Sequence, residues 1–182
     1  MWEREGKILM NDLVLVRPSK EMEKDIWEYR QEYLLCGEKH INGCCGIGYY
    51  DDFDTWLEFV LAIEKDKLSR EGVHASTFFS VRKSDNKIIG SIQLRHFLTE
   101  DLKKHGGHIG YGIRPGERGK GYGRQQLLLV LEEAAKMGIP RVMISCDKDN
   151  IPSGHTAMSC GGVLECENCY KGREQQIYWI TL

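Results

Sequence analysis

The sequence predicts a mixed α/β sandwich, with helices laid over a mostly antiparallel sheet of about seven strands, in a single domain spanning residues 1–182. Segments with the period of a strand and of a helix follow one another in the order β-α-α-β-β-β-α-β-α-β-β. At 182 residues the chain has the length of one domain, long enough to bury roughly 70% of its unfolded surface. Hydrophobic content of 41% against 29% charged is that of an ordinary globular protein. No internal repeat or linker interrupts it.

The elements follow from local chemistry. Residues 12–16, Asp-Leu-Val-Leu-Val, read as a first strand stopped by Arg17-Pro18. Ser19 is the expected N-cap of a helix carrying Met22, Ile26, Tyr29, Tyr33 and Leu34 on one face. Residues 36–50 are rich in glycine and cysteine, have no period and read as a loop. Asp54 is the expected cap of a second helix over 55–69, with Trp56, Leu57, Val60, Leu61 and Ile63 as its apolar set. Residues 77–81 and 87–94 are β-like runs joined through Ser84-Asp-Asn86, a turn by composition. Residues 108–113 form a further strand-like run. The helix expected over 125–137 places Leu127, Leu131, Ala134 and Gly138 on one stripe, and Glu132, Glu133 and Lys136 away from it. Gly138 ends it and Pro140 prevents resumption. Residues 141–146 and 175–182 complete the strands.

Charge and cysteine usage narrow the function. A net charge of −2 and a pI near 6.3 exert no global pull toward nucleic acid or an anionic membrane, so neither is expected as a partner. No apolar run approaches the ~18 residues of a membrane helix. The charged start, Met-Trp-Glu-Arg-Glu-Gly-Lys, predicts no signal peptide. Seven cysteines, an odd number, read as reduced thiols in a cytoplasmic protein. Cys166-Glu-Asn-Cys169 is a C-x-x-C, but a zinc site wants a second spaced pair, and Cys44-Cys45 is adjacent. A redox pair would sit at a helix N-terminus, whereas this one falls in a strand-turn. No metal is expected.

The richest stretch is Tyr111-Gly-Ile-Arg-Pro-Gly-Glu-Arg-Gly-Lys-Gly-Tyr-Gly-Arg124. A glycine-rich basic turn between a strand and a helix suits a pyrophosphate: glycines allow close backbone approach, and unpaired helix N–H groups face the anion. A P-loop needs Lys then Ser or Thr after the last glycine, and Gly121 is followed by Tyr122. The dinucleotide fingerprint fails because Arg124 stands where its third glycine belongs. What fits is R-x-x-G-x-G, as Arg118-Gly-Lys-Gly121-Tyr-Gly123. That run resembles the coenzyme A loop of the GNAT superfamily of N-acetyltransferases. Its surroundings agree: Gly107-His-Ile-Gly-Tyr-Gly-Ile-Arg-Pro115 resembles the family's fourth strand, and Arg141-Val-Met-Ile-Ser-Cys146 its fifth. Asp147-Lys-Asp-Asn150, with Ser153 and Gly161-Gly162, resembles the following strand-to-helix step. The match is similar to a little-characterised branch of predicted acetyltransferases.

The resemblance implies a GNAT-like fold and acetyl-CoA as cosubstrate. The backbone amides of Gly119, Gly121, Tyr122 and Gly123 would take the pyrophosphate, with charge from Arg118, Lys120 and Arg124. Ile113 would offer main-chain groups to pantetheine. Asn150 is a helix N-cap, a contact to the pantetheine arm, or both, and Ser153 is a second contact. A small-molecule or peptide amine is the implied acceptor, and a homodimer is common among such proteins. Many members use a glutamate on the fourth strand as base and a tyrosine seven residues beyond the Asn150 position as acid. Here no carboxylate lies in 106–115, and the second position is Ala157. His108 is therefore either a base, its intrinsic pKa being near neutrality, or a half-buried strand histidine satisfied by a backbone carbonyl. Tyr111 either protonates the leaving sulfur or packs in its strand. Glu100 and Asp101 are alternative bases. Tyr49, Tyr50, Asp51, Asp52, Asp54 and Trp56 suggest an acidic, aromatic wall for a cationic amine. A non-catalytic acyl-CoA-binding module is the alternative to an enzyme.

Overall fold

The computed structural model describes residues 12–182; the charged start used in the signal-peptide argument lies outside them. The elements are β1 (Leu13–Val16), α1 (Glu23–Leu35), α2 (Phe53–Lys65), β2 (Ala75–Arg82), β3 (Ile88–Arg95), β4 (Ile109–Ile113), α3 (Tyr122–Lys136), β5 (Arg141–Asp147), α4 (Ile151–Ser159), β6 (Val163–Tyr170) and β7 (Arg173–Thr181). Their order is the one the periodicity predicts. Short 3₁₀ turns occupy Lys20–Met22, Ile47–Tyr49 and Pro115–Glu117. Among the described residues no helix is long and apolar enough to cross a membrane.

The expected single sheet is divided in two. One antiparallel sheet has the order β1-β2-β3-β4, and the other β5-β7-β6. They touch where β4 begins: Gly107 bridges Ile144, and the His108 amide donates to the Met143 carbonyl at 2.8 Å. Gly107 permits this approach, because a Cβ there would lie 2.5 Å from the Met143 oxygen. Beyond that point β4 pairs only with β3 and β5 only with β7. A gap therefore separates β4 from β5.

β2 and β3 are buried along nearly their whole length because both faces are covered. Phe78 packs with Leu127, Val130 and Leu131 of α3, while its neighbour Phe79 packs with Tyr29 and Trp56 of the α1–α2 layer. Successive strand side chains point to opposite faces, so adjacent phenylalanines serve two different cores. Under α3 the buried Gln126 accepts from Ser80 at 2.5 Å and donates to the Ser91 carbonyl at 3.3 Å.

Several boundaries differ from the sequence reading: Ser19 precedes only the 3₁₀ turn and makes no side-chain cap, and α1 has Met22 in the N-cap position. Helix α2 is capped by Asp52, which accepts from the Thr55 amide at 2.8 Å, so it starts before Asp54 and ends at Lys65. Leu61, assigned to its apolar set, is exposed. Helix α3 begins at Tyr122, with Gly121 in the N-cap position.

Candidate active site

The glycine-rich turn connects β4 to α3. Gly119 and Gly121 hold φ of +75° and +81°, the left-handed region where a side chain is strained. This conformation leaves the amides of Gly119, Lys120, Gly121, Tyr122 and Gly123 without hydrogen-bond acceptors among the described residues. Five adjacent free donors at a helix N-terminus are an anion cradle.

The basic side chains of the loop are braces rather than free cations. Arg118 forms a two-pronged pair with Glu38, both contacts at 2.7 Å, and its Nε donates to the Ile113 carbonyl at 3.0 Å. That carbonyl is therefore already engaged. Lys120 bonds Glu117 and the Gly116 carbonyl, each at 2.9 Å. Arg124 donates to the Ser159 carbonyl at 3.2 Å, tying α3 to α4. Arg114 and the Gly116 amide both bond Glu32 of α1, at 2.5 and 2.8 Å.

Glu117 anchors the start of the loop. It is buried and meets Lys87 at 2.7 Å, Lys120 at 2.9 Å and Arg82 at 3.1 Å. Burial alone would raise its pKa, but Lys87 and Lys120, joined by Arg82, outweigh that and hold it at about 2. Tyr122 is buried beside this cluster, its hydroxyl accepting from Arg82 at 3.1 Å.

The β4–β5 gap opens into a cavity of about 590 Å³ that Tyr111, Cys146, Asn150 and Ser153 help to line. Asn150 is the N-cap of α4, accepting from the Ser153 amide at 3.3 Å. The Tyr111 hydroxyl lies 3.0 Å from Ser153 Oγ and donates to the Ser153 carbonyl at 3.4 Å. Burial raises the Tyr111 pKa, and likewise that of the Cys146 thiol, so both stay protonated near neutrality. Tyr111, Asn150 and Ser153, separate in sequence, thus converge.

His108 does not join them. Its Nδ1 accepts a hydrogen bond from the buried Met143 amide at 2.9 Å, and its ring packs edge-on against Trp179. It lines neither this cavity nor its neighbour. Burial, then the Arg95 charge, lower its pKa to about 4. The geometry favours the structural alternative for His108, with a backbone amide rather than the expected carbonyl as its partner. Glu100 and Asp101 are also absent from the cavity walls, with Glu100 paired to Lys103 at 2.6 Å.

A second cavity of about 390 Å³ adjoins the first, and Gly110, His40, Asn42 and Arg95 border both. The expected acidic wall is not there. Asp52 caps α2, Asp54 pairs with Lys20 at 2.5 Å on the surface, and Trp56 is in the core. Of that set only Tyr49 lines the second cavity. Sequence reasoning missed His40 and Arg95, which lie on different elements and have no shared motif.

With this geometry in place, the comparisons have a structural counterpart. The profile of the Acetyltransferase (GNAT) domain matches residues 48–163, and the chain belongs to that family. The protein is thus a GNAT acetyltransferase domain, similar in fold to several solved acetyltransferases. RimL, a ribosomal α-N-protein acetyltransferase in complex with coenzyme A, aligns with a TM-score of 0.67 at 18% identity, over 94% of this chain and 95% of that one. The microcin self-immunity acetyltransferase MccE, in complex with acetyl-CoA and AMP, aligns at 0.66 and 20%, over 94% and 93%. A Salmonella typhimurium acetyltransferase that modifies the N-terminal serine of a 50S ribosomal subunit protein aligns at 0.65 and 17%, over 94% and 96%. At these identities the likeness is one of fold. Among curated proteins no sequence matches.

Proposed function

We propose that the protein is an acetyl-CoA-dependent N-acetyltransferase that acetylates a primary amine by direct transfer in a ternary complex. The observation that carries this reading is the row of free amides from Gly119 to Gly123 at the N-terminus of α3, in the turn that follows β4, whose edge toward β5 is unpaired beyond His108. The amides would hold the pyrophosphate. The gap offers unpaired strand edges to the pantetheine amides, and Asn150 and Ser153 lie on its α4 side. Acetyl-CoA supplies an activated thioester. An amine arriving from the second cavity would reach it near Gly110.

Tyr111 is the residue placed to protonate the departing sulfur. Its hydroxyl is held by Ser153 and retains its proton at neutral pH. It would substitute for the acid that Ala157 cannot provide. The transfer breaks the acetyl carbon–sulfur bond and makes a carbon–nitrogen bond. One proton leaves the nitrogen and one reaches the sulfur. No protein nucleophile is needed, which fits a neutral Cys146.

The reading places a single domain over residues 1–182 in a reducing cytoplasm, consistent with its unpaired cysteines. The test is thiol release from acetyl-CoA with an amine panel, alongside calorimetric binding of coenzyme A. No detectable binding removes the reading. A second reading, an acyl-CoA-binding module without turnover, is favoured by the engagement of His108 away from the cavities. Tight binding with no turnover on any amine would select it.

A further inference from the structure

The smaller cavity has a distinctive charge. Its carboxylate and guanidinium lining groups are Glu71, Arg70 and Arg95, one anion and two cations, an excess of one positive charge. A chain with a net charge of −2 has therefore gathered positive charge at the acceptor side.

Arg95 is the central group. Its side chain is 13% exposed, and the nearest carboxylate oxygen, on Glu71, is 3.7 Å away, beyond direct hydrogen-bonding distance. Its Nη1 donates to the carbonyls of Gly106 at 3.3 Å and Gly107 at 3.1 Å, fixing the side chain beneath the start of β4. Its Nε is buried with no hydrogen-bond partner. A guanidinium taken out of water and only loosely paired is costly, and burial pulls its pKa down. Nearby, Arg70 makes no ion pair among the described residues. An arrangement of this kind is completed by an anion, and a guanidinium fork matches a carboxylate.

We propose that the acceptor is amino-acid-like, carrying a carboxylate a few bonds from its amine, and that Arg95 with Arg70 binds that carboxylate in the smaller cavity. The proposal rests on the acetyl-transfer reading above. It places the amine at Gly110, where the two cavities meet.

The experiment compares matched acceptors on the purified full chain by thiol release from acetyl-CoA. Each L-amino acid is paired with its carboxamide and its decarboxylated amine. The best acid is expected to exceed its partners roughly ten- to hundred-fold in kcat/KM, as for a charge-assisted hydrogen-bonded pair. Arg70→Glu, at an exposed position, is expected to remove most of that preference with the coenzyme A Kd unchanged by calorimetry. Arg95→Gln should abolish it. If that variant does not fold, Arg70→Glu and the acceptor pairs decide. Equal or reversed preference overturns the proposal, as does failure of every carboxylate acceptor to turn over. Coenzyme A binding with faster turnover of carboxyl-free amines sinks this proposal alone, whereas no coenzyme A binding sinks the acetyl-transfer reading beneath it.

Discussion

Replacing Glu117 by glutamine tests whether a buried carboxylate holds the phosphate loop in shape. A carboxyl kept at about 2, against an ordinary value of 4.5, marks strong selective stabilisation of its charged form. The full shift would correspond to roughly 3 kcal/mol at neutral pH. Lys87 and Lys120 are 37% and 50% exposed, so solvent screens part of that attraction. We expect Glu117→Gln to cost about 1–2 kcal/mol at pH 7, less than removal of a fully buried partner. The sign follows from the depressed pKa. The stabilisation is complete above the unfolded value near 4.5 and fades as pH falls toward 2, where the protonated carboxyl resembles the amide. Urea unfolding of both proteins at pH 7, 5 and 3 measures this directly. Coenzyme A affinity at pH 7 should fall several-fold, because Lys120 and Arg82 lose the group that positions them. Equal stability at pH 7, or a gap that persists unchanged at pH 3, refutes the reasoning.

Other outcomes separate chemistry from architecture. Tyr111→Phe should lower kcat by about 10²-fold or more, the usual contribution of a general acid, with little change in KM for acetyl-CoA; steady-state kinetics decide. His108→Ala should cost about 1–3 kcal/mol by orphaning the buried Met143 amide, while kcat/KM changes only a few-fold; a pH–rate profile that loses a limb would restore the base assignment. In the wild type, the unfolded chain binds a proton below about pH 6.5 that folded His108 refuses down to about 4, so stability falls across that window. His108→Gln should flatten that part of the pH–stability curve. Gly121→Ala should weaken coenzyme A binding, since a non-glycine residue at φ +81° costs about 1–2 kcal/mol and the cradle must distort; calorimetry reads the change.

The order of elements was legible because both periodicities are strong and turn residues punctuate them. The loop was legible too, since glycines at Gly119 and Gly121 and the helix behind them are local in sequence. Asp54 was misread as a cap because Asp52 offers the same chemistry two residues earlier, and only the Thr55 contact distinguishes them. His108 could not be read from its neighbours, since the group it satisfies, the Met143 amide, lies 35 residues away. The braces on Arg118 and Arg114 escaped for the same reason: Glu38, in the loop after α1, and Glu32, in α1, are 80 and 82 residues distant. The acidic wall dissolved once Asp52 was assigned to a cap and Asp54 to a surface pair. Arg95 gave no signal, because a charged residue ending a strand is usually solvated.

Pairing Glu32, Glu38 and Glu117 with the loop's arginines and lysine has a bearing on ionic strength. Most of the local charge is already neutralised within the molecule, so a bound diphosphate would be held by fixed peptide dipoles rather than by counterions it displaces. Such a grip should weaken less with added potassium chloride than one made by unpaired lysines and arginines.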